Sequence, residues 1–361
     1  MRNLVARRRE AQVKFQQHPD APQCPVPIYS VGTGGIVEFA HLPAYKLMGW
    51  EVRGLYDINP ESAKRLAEQF NVGPAVETLD QLLALNTDGI FDLAVPGRQV
   101  AQVLAQLPRN SFVLIQKPLG ETLDQAKEIV SICEERGLSA AVNFQLRWAP
   151  YILALKDVVG QGLIGEVDDI SVQVNVHTPW AQWTFLEHAP RMEMVYHSIH
   201  YVDLIRHILG EPDRVQANSI KDPRSPKLES SRSAIYLDYG VWKRATINTF
   251  HGHMAGPRHQ ESYIKVEGSK GAVKAQMGLN MDYPKGMPDY LHYWIEGMDD
   301  WVDVPLEGSW FPHAFRGPMA DMMRWHAGGS PPSTEVHDAL KTMNLVDVAY
   351  RSSDQRGLTV I

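Results

Sequence analysis

A glycine-rich turn directly after the first apolar run most constrains the fold of this chain. Gly32-Thr33-Gly34-Gly35 follows the apolar residues 26–31 and precedes a helix-like stretch that begins at Ile36. Glycine is needed where a strand turns tightly into a helix and where the backbone must approach a pyrophosphate. Amides at the N-terminus of the helix then attract that anion. The turn therefore predicts a dinucleotide-binding unit in which Gly32, Thr33, Gly34, Gly35 and Ile36 contact the cofactor.

The segments that follow the turn repeat a strand-helix rhythm, which is typical of a parallel sheet covered by helices. Two predicted helices begin with N-terminal caps, Asn59 before Pro60, and Thr122 with Gln125 in a capping box. We therefore predict an α/β fold that begins with a doubly wound parallel Rossmann sheet. Its strands are expected at residues 26–31, 51–56, 90–95, 112–115 and 139–142.

Beyond residue 148 the hydrophobic pattern changes. Ile170, Val172 and Val174 alternate with polar residues, as in a strand with one buried face. Two predicted hairpins follow, and the pattern indicates an α+β domain with a large, mostly antiparallel open sheet. The hairpins are expected at residues 232–237 with 241–250, and at 262–267 with 271–276.

These patterns divide the chain into four parts. Residues 1–25 combine basic residues with several prolines and are interpreted as an N-terminal arm on the surface or at a subunit contact. Residues 26–147 form the predicted dinucleotide-binding domain, and 148–330 the substrate and oligomerisation domain. Residues 331–361 are expected to form a C-terminal helix and tail that return to the core.

Charge and apolar patterning exclude several classes of protein. The net charge of −7 opposes sequence-independent binding to nucleic acid or to anionic lipid. No apolar run reaches the roughly 18 residues that a membrane helix needs, and the N-terminus lacks an apolar signal core. Cys24 and Cys133 are too few and too far apart for a disulfide framework or a structural zinc site. A cytoplasmic location is expected.

Asp57 lies where the second predicted strand ends, 23 residues after Gly34. A carboxylate at this position accepts hydrogen bonds from the adenosine ribose hydroxyls and repels a 2′-phosphate. The next residue is Ile58 and not a basic one, so no adjacent charge compensates for that repulsion. The expected cofactor is NAD, with NADP less favoured.

Several short motifs occur in one order along the chain. They are Gly32-x-Gly34, His41, Gln116-Lys117-Pro118-Leu119, Arg147 within residues 143–150, Gly162-Leu163-Ile164-Gly165 and His200-Tyr201-Val202-Asp203. With these motifs the chain from about Pro27 to its end resembles the Gfo/Idh/MocA family of sugar and polyol oxidoreductases.

The resemblance implies catalytic roles for two of these motifs. In the family a Glu-Lys-Pro motif brings its lysine to the nicotinamide ribose and the substrate hydroxyl; Lys117 matches it, while Gln116 replaces the glutamate but is still expected to contact the cofactor. The family's helix Asp-x-x-x-His-x-x-Asp is matched by His200 and Asp203, with Tyr196 in place of the first aspartate. His200 would take the alcohol proton, Asp203 would orient His200, and the phenol of Tyr196 would orient the substrate.

Two further features concern the cofactor and metals. The family's Pro-Asn-x-x-His signature is replaced here by Pro96-Gly97-Arg98-Gln99-Val100, so that Pro96 alone remains an expected cofactor contact.

Glu193 and His197 lie four residues apart and could be combined with His200 as metal ligands. We interpret them instead as a satisfied surface cluster, because the family needs no metal, and expect no metal site.

Aromatic and basic residues lie between the two catalytic motifs. Trp148, Trp180 and Trp183 offer flat apolar faces that suit a sugar ring. Arg147 and Arg191 could bind an anionic group through their guanidinium forks. The substrate is therefore expected to be a small sugar or polyol, and whether it is neutral or acidic stays open.

Three functions are compatible with this pattern. The first is an NAD-dependent dehydrogenase for a secondary hydroxyl of a sugar, glycoside or cyclic polyol. The second is a redox-assisted glycoside cleavage without net formation of NADH, and the third is a non-catalytic, sugar-responsive regulator. The open sheet also predicts a homo-oligomer, either a dimer or a tetramer, because its second face needs cover.

Overall fold

The computed structural model describes residues 14–85, 88–283 and 285–357, and within them the chain forms two sheets. The first sheet has six parallel strands in the order β3-β2-β1-β4-β5-β6. This order confirms the predicted Rossmann sheet. The strands are β1 (Ile28–Val31), β2 (Val52–Tyr56), β3 (Ala75–Val76), β4 (Ile90–Leu93), β5 (Phe112–Gln116) and β6 (Ser139–Asn143).

Five helices connect these strands, and a π-helical turn at Val37–His41 precedes the first of them. The cap at Thr122 is confirmed, since its hydroxyl accepts a hydrogen bond from the amide of Gln125. The side chain of Asn59, the other predicted cap, makes no hydrogen bond to the helix. The backbone amide of Asn59 donates to the carboxylate of Asp57. The helices are α1 (Leu42–Met48), α2 (Pro60–Phe70), α3 (Leu79–Leu85), α4 (Val100–Leu104) and α5 (Leu123–Arg136).

The second sheet has eight strands in the order β14-β13-β12-β11-β7-β10-β9-β8. Its pairs are antiparallel except β7 with β10, which run parallel. Both predicted hairpins are confirmed, as β9 with β10 and β11 with β12. The strands are β7 (Val167–Asn175), β8 (Arg214–Ile220), β9 (Arg232–Asp238), β10 (Arg244–Phe250), β11 (Glu261–Gly268), β12 (Gly271–Gln276), β13 (Tyr290–Ile295) and β14 (Val302–Asp303).

The C-terminal part of the chain returns to the first sheet. Helix α8 packs against β5 and β6, so this return begins before residue 331. Helix α9 packs against α5, α7 and β8, and the amide of Val142 in β6 donates to the carbonyl of Thr334 at 2.8 Å. The helices outside the first sheet's connections are α6 (Pro150–Gly160), α7 (Ile199–Leu209), α8 (Arg316–His326) and α9 (Val336–Asp354).

The described part of the N-terminal arm lies on its own chain. Phe15 packs edge-on against Tyr293 of β13 with ring centroids 5.4 Å apart. The side chain of Gln17 donates to the carbonyl of Pro305 and accepts from the amide of Glu307, each at 2.8 Å. Residues 1–13 of the predicted arm lie outside the described residues. Of the helices that the structure describes, none has the length and apolarity to cross a membrane.

Candidate active site

The glycine-rich turn fits a pyrophosphate. Gly32 has φ +97°, and a Cβ on it would lie 2.3 Å from the carbonyl oxygen of Ala94, so only glycine is accommodated. Around Gly34, by contrast, no atom of the described residues lies within 4 Å of a Cβ position. A Cβ on Gly35 would meet only the ring of Phe39, at 3.6 Å. The backbone at Gly34 is thus open to a ligand.

The neighbouring residues stabilise this turn. Asp57 accepts hydrogen bonds from the amide of Thr33 at 2.7 Å and from the amide of Asn59 at 2.8 Å. The Thr33 side chain is buried, and its hydroxyl also donates to Asp57, so it supports the turn from within. Ile36 is half-buried against the core, and Val37, at the position of the usual third glycine, is fully buried where the π-helical turn begins.

Lys117 lies directly after β5, at the carboxyl edge of the parallel sheet where ligands of such sheets bind. Its ammonium donates to the carbonyl oxygen of Tyr196 at 2.7 Å, and this contact joins the two halves of the molecule. Burial lowers the pKa of Lys117 to about 8. At pH 7 roughly a tenth of this amine is therefore neutral and able to accept a proton, and the fraction rises to about half at pH 8.

Gln116 connects Lys117 to a buried polar network. Its side-chain oxygen accepts from the amide of Lys117 at 2.9 Å, and its nitrogen lies 3.3 Å from Nε2 of His41. The other ring nitrogen of His41 lies 2.7 Å from a carboxylate oxygen of Asp92, and all three side chains are buried. Pro96 is half-buried at the next strand end, where its carbonyl accepts from Gln99 and begins a short helical turn.

His200 lies in the first turn of α7 and is only 6% exposed. Burial first, and then the charges of Lys117 and His197, hold the pKa of His200 well below its usual value, so the imidazole is neutral at pH 7. Its Nδ1 has no hydrogen-bond partner in the described part of the chain. A neutral imidazole near a low-pKa amine is an arrangement that can accept and pass on a proton.

Asp203 does not orient His200, so the role that the resemblance implied for it is wrong. Its two oxygens accept from Nε and Nη2 of Arg147, each at 2.6 Å, and the two side chains are 1% and 2% exposed. Asp338 adds a second carboxylate 3.2 Å from the same guanidinium. Arg147 is therefore held inside the protein, which corrects its expected contact with the substrate. Through Arg147 the two carboxylates tie α7, which carries Asp203, to the start of α9, which carries Asp338.

Tyr196 supports the site through its backbone carbonyl and its phenol. Its carbonyl holds Lys117, and its phenol donates to the carboxylate of Glu121, which is buried. Sequence analysis did not single out Glu121, because it lies in a loop without a motif. Arg98 also went unselected, although it is exposed and its positive charge acts on the phenol of Tyr196.

The three expected tryptophans separate into two groups. Trp148 is 7% exposed and packs on Gly317, where a Cβ would lie 2.1 Å from its ring, so its expected contact with the substrate is wrong. Trp180 and Trp183 are half-buried and pack edge-on, with centroids 6.0 Å apart. The ring of Tyr283 lies 5.7 Å from that of Trp183. We call Trp180, Trp183 and Tyr283 together the aromatic wall.

A His-His-Glu cluster lies next to the aromatic wall. Glu193, His197 and His251 place one potential ligand atom each within 4.8 Å of one another. Glu193 is fully buried, so the expected surface cluster is in fact internal, and His251 takes the place that was considered for His200. Burial lowers the pKa of His197 to about 4.

Arg191, which was expected to bind an anionic group, forms an ion pair with Asp354 at 2.6 Å.

Comparisons with known proteins agree with this architecture. Residues 28–144 match the model described as "Oxidoreductase family, NAD-binding Rossmann fold" of Gfo/Idh/MocA, and residues 156–360 match that family's C-terminal alpha/beta domain.

Two curated relatives are similar over most of their length. The D-apiose dehydrogenase of Rhizobium rhizogenes is 24% identical over 84% of this chain and 88% of its own. The scyllo-inositol 2-dehydrogenase (NADP(+)) of Bacillus subtilis is 22% identical over 83% and 87%. Among solved structures, the aldose-aldose oxidoreductase of Caulobacter crescentus superposes with a TM-score of 0.77 at 18% identity, covering 93% of this chain and 99% of that one.

Proposed function

This chain belongs to the Gfo/Idh/MocA oxidoreductase family, and we propose that it is an NAD-dependent dehydrogenase that oxidises a secondary hydroxyl of a sugar or cyclic polyol. The observation that carries the proposal is the position of Lys117. Its buried amine has a pKa of about 8 and is held against the residue that lies one helical turn before His200. Two proton acceptors thus converge from the two domains at the carboxyl edge of the parallel sheet.

The residues of the turn would hold the cofactor. Gly32 permits the tight turn, Gly34 leaves room for the pyrophosphate, and Asp57 would accept from the adenosine ribose hydroxyls. NAD, when bound, supplies the acceptor for the hydride that leaves the substrate carbon. Asp57 also supports the choice of NAD over NADP, because its charge opposes a 2′-phosphate, although the relative from Bacillus subtilis is named for NADP.

We assign proton transfer to Lys117 and His200. The neutral form of Lys117 would take the hydroxyl proton as the carbonyl forms, and His200, neutral and with an unpaired Nδ1 among the described residues, would share or relay it. Tyr196 acts as a positioning residue in this proposal, since its carbonyl holds the Lys117 amine. Gln116 contributes by holding the amide of Lys117.

The aromatic wall supports a ring-shaped, hydroxylated substrate. Trp180 and Trp183 present apolar ring faces of the kind that pack on the C–H face of a sugar. The names of the two curated relatives, which concern D-apiose and scyllo-inositol, point to the same class of substrate. Arg98 is exposed near Tyr196 and offers a positive charge for a substrate with an acidic group.

Cofactor balance tests this proposal. Purified protein is incubated with NAD or NADP and a panel that includes D-apiose, inositols, aldoses and glycosides, while reduced cofactor and sugar products are quantified together. A dehydrogenase forms one NADH for each oxidised sugar. Cleavage of a glycoside without accumulation of NADH would contradict the proposal and favour the redox-assisted route. Binding of sugar without conversion in any combination would favour a regulator.

We also propose that the open face of the second sheet packs against a second copy of the chain. Helices α6 and α7 pack on the other face of this sheet. The open face carries partly exposed side chains such as Gln173 and Tyr263 on its central strands, together with Asn248. Light scattering of a dilute sample should give the mass of a dimer or tetramer, and a strict monomer would contradict this assembly.

A further inference from the structure

Two imidazoles and one carboxylate meet beside the aromatic wall. Glu193 and His197 lie one turn apart at the π-helical segment Met194–Ser198, and His251 directly follows β10. Nδ1 of His197 and Nε2 of His251 each lie 3.3 Å from the same oxygen, Oε1 of Glu193. Local π-helical turns occur frequently at functional sites, because they alter which side chains share a face.

These separations match those of a metal site. Zinc bonds of about 2.0–2.2 Å in a tetrahedral arrangement place neighbouring ligand atoms roughly 3.3 Å apart. Two of the three separations in the cluster have this value, and all three fall within 4.8 Å. The third pair, the two imidazole nitrogens, lies within 4.8 Å and would have to approach to the same range when a metal binds.

Two of the three potential ligands, His251 and Glu193, have a neighbour that orients them. Oγ1 of Thr178 lies 2.8 Å from Nδ1 of His251, which leaves Nε2 of that ring facing Glu193. The hydroxyl of Ser198 donates to the carboxylate of Glu193 at 2.8 Å. Such outer contacts fix the tautomer and the direction of metal ligands. Both hydrogen bonds are formed by the protein alone, without a metal ion.

One nitrogen of the cluster lacks a partner. Nδ1 of His197 is buried and makes no hydrogen bond within the described residues, although it faces Glu193. A buried polar atom without a partner is costly, and most such atoms in native proteins are satisfied by protein, water or an ion. A cation between the three side chains would satisfy this nitrogen and the shared carboxylate oxygen together.

We propose that Glu193, His197 and His251 bind one divalent transition-metal ion such as Zn²⁺. Two nitrogen ligands and one carboxylate favour zinc over Mg²⁺ or Ca²⁺, which prefer oxygen ligands. Three protein ligands leave a fourth position for water or a substrate oxygen. Trp180 of the aromatic wall packs on His251 with centroids 4.8 Å apart, so the ion would border the proposed sugar pocket. The site departs from the sequence expectation that no metal is needed.

Metal binding is measured without NAD or sugar, so its result is independent of the proposed dehydrogenase activity. The full-length protein is treated with a chelator, dialysed and titrated with Zn²⁺ by calorimetry. One Zn²⁺ should bind per chain with micromolar affinity or tighter, and Mg²⁺ should give no comparable heat. Co²⁺ provides a second readout, since a four-coordinate site gives intense visible bands that an octahedral aqua ion lacks.

Three variants locate the site. Glu193→Gln and His251→Gln should weaken Zn²⁺ binding by more than the roughly 10–100-fold that is typical when an outer-shell partner is lost. Thr178→Val keeps every ligand and should lose affinity within that range. His253→Gln is the matched control, because His253 lies two residues beyond His251 and contacts the carbonyl of Arg258 instead. It should bind as wild type does.

The proposal is overturned if wild-type protein gives neither stoichiometric heat nor the visible cobalt bands. It is also overturned if folded Glu193→Gln binds Zn²⁺ as tightly as wild type, or if His253→Gln is weakened as strongly as His251→Gln. Circular dichroism identifies a variant that fails to fold, and the cobalt spectrum of the wild type together with Thr178→Val then decides the question.

Discussion

The cofactor half and the substrate half of the candidate active site are built in different ways. The cofactor half consists mainly of backbone, and its parts are close in sequence, as with Asp57 and the amide of Thr33, 24 residues apart. The substrate half consists of side chains from distant elements, such as Glu193 and His251, 58 residues apart. The first can be recognised from local pattern, whereas the second depends on how the elements pack.

A π-helical turn occurs in each half and serves a different purpose. Val37–His41 follows the glycine-rich turn, where it accommodates the buried Val37 in place of a third glycine. Met194–Ser198 precedes α7 and contains Tyr196, whose carbonyl accepts from Lys117. A carbonyl in an irregular turn is more available to a side chain than one in a regular α-helix. The same local feature thus supports packing in one half and holds the buried amine of Lys117 in the other.

The comparison predicts its largest effect at Asp203, which belongs to the framework of the substrate half. Breaking a buried ion pair costs roughly 3–5 kcal/mol. Asp203→Asn should lower the free energy of unfolding by roughly 3 kcal/mol, the smaller of these values, because Asp338 still faces Arg147. Urea unfolding followed by fluorescence measures this change. Asp338→Asn is the control and should cost much less, since that carboxylate is 33% exposed.

Turnover distinguishes this framework role from a catalytic one. The folded fraction of Asp203→Asn should retain most of the wild-type kcat, because Asp203 contacts Arg147 and not His200. Near-normal stability combined with a severe loss of kcat would restore the role that the family resemblance implied.

Lys117 is predicted to show the largest purely kinetic effect. Lys117→Met retains most of the buried stem but removes the amine, and it should lower kcat by about 10²-fold or more. Because the neutral amine is the base, wild-type oxidation should fall about tenfold per pH unit below pH 8 and level off above it. The variant should lose this dependence. Lys127→Met, on exposed α5, is the control, and near-wild-type turnover in Lys117→Met would remove Lys117 from the mechanism.

The sequence predicted residues whose surroundings are local and misjudged those whose partners are distant. The Rossmann strands, the turn at Gly32 and the cap at Thr122 each depend on a short stretch, and each is confirmed. Arg147 and Asp203 match family motifs, but a motif does not reveal that the two residues bind each other across 56 positions. Strand β8 was missed because its residues alternate between half-buried and exposed without an apolar face.

The two site residues that sequence analysis missed, and one that it wrongly selected, have the same explanation. Glu121 lies in a loop and gains its role only when Tyr196 reaches it from the other domain. His251 directly follows a hairpin strand and lies 54 positions from His197 in a chain with 14 histidines, so spacing alone does not select it. Trp148 was selected for an aromatic face that suits a sugar ring, yet it packs on Gly317 and is buried. Packing between distant segments decided all three.

Asp57 tests the cofactor half with a smaller effect. The amides of Thr33 and Asn59 donate to different oxygens of Asp57, so Asp57→Asn keeps an acceptor for one of them and removes the negative charge. The ratio of NADP to NAD affinity should rise about tenfold, because the repulsion of the 2′-phosphate is lost. Fluorescence titration with each reduced cofactor measures the ratio, with Asp80→Asn on α3 as the control. Tighter binding of NADP than NAD by the wild type would refute the assignment.

Gln116 holds the amide of Lys117, whose amine joins the two halves, and it is expected to show the smallest effect. Gln116→Glu would place a negative charge beside Lys117, whose amide now donates to the Gln116 side-chain oxygen at 2.9 Å. It should raise the pKa of Lys117 and move the pH profile of kcat upward by roughly half a unit, with little change in the maximum. Gln106→Glu, which adds the same charge on the exposed surface, should leave the profile in place. A downward shift, or a maximum reduced more than about tenfold, would show that Gln116 acts through something other than the charge near Lys117.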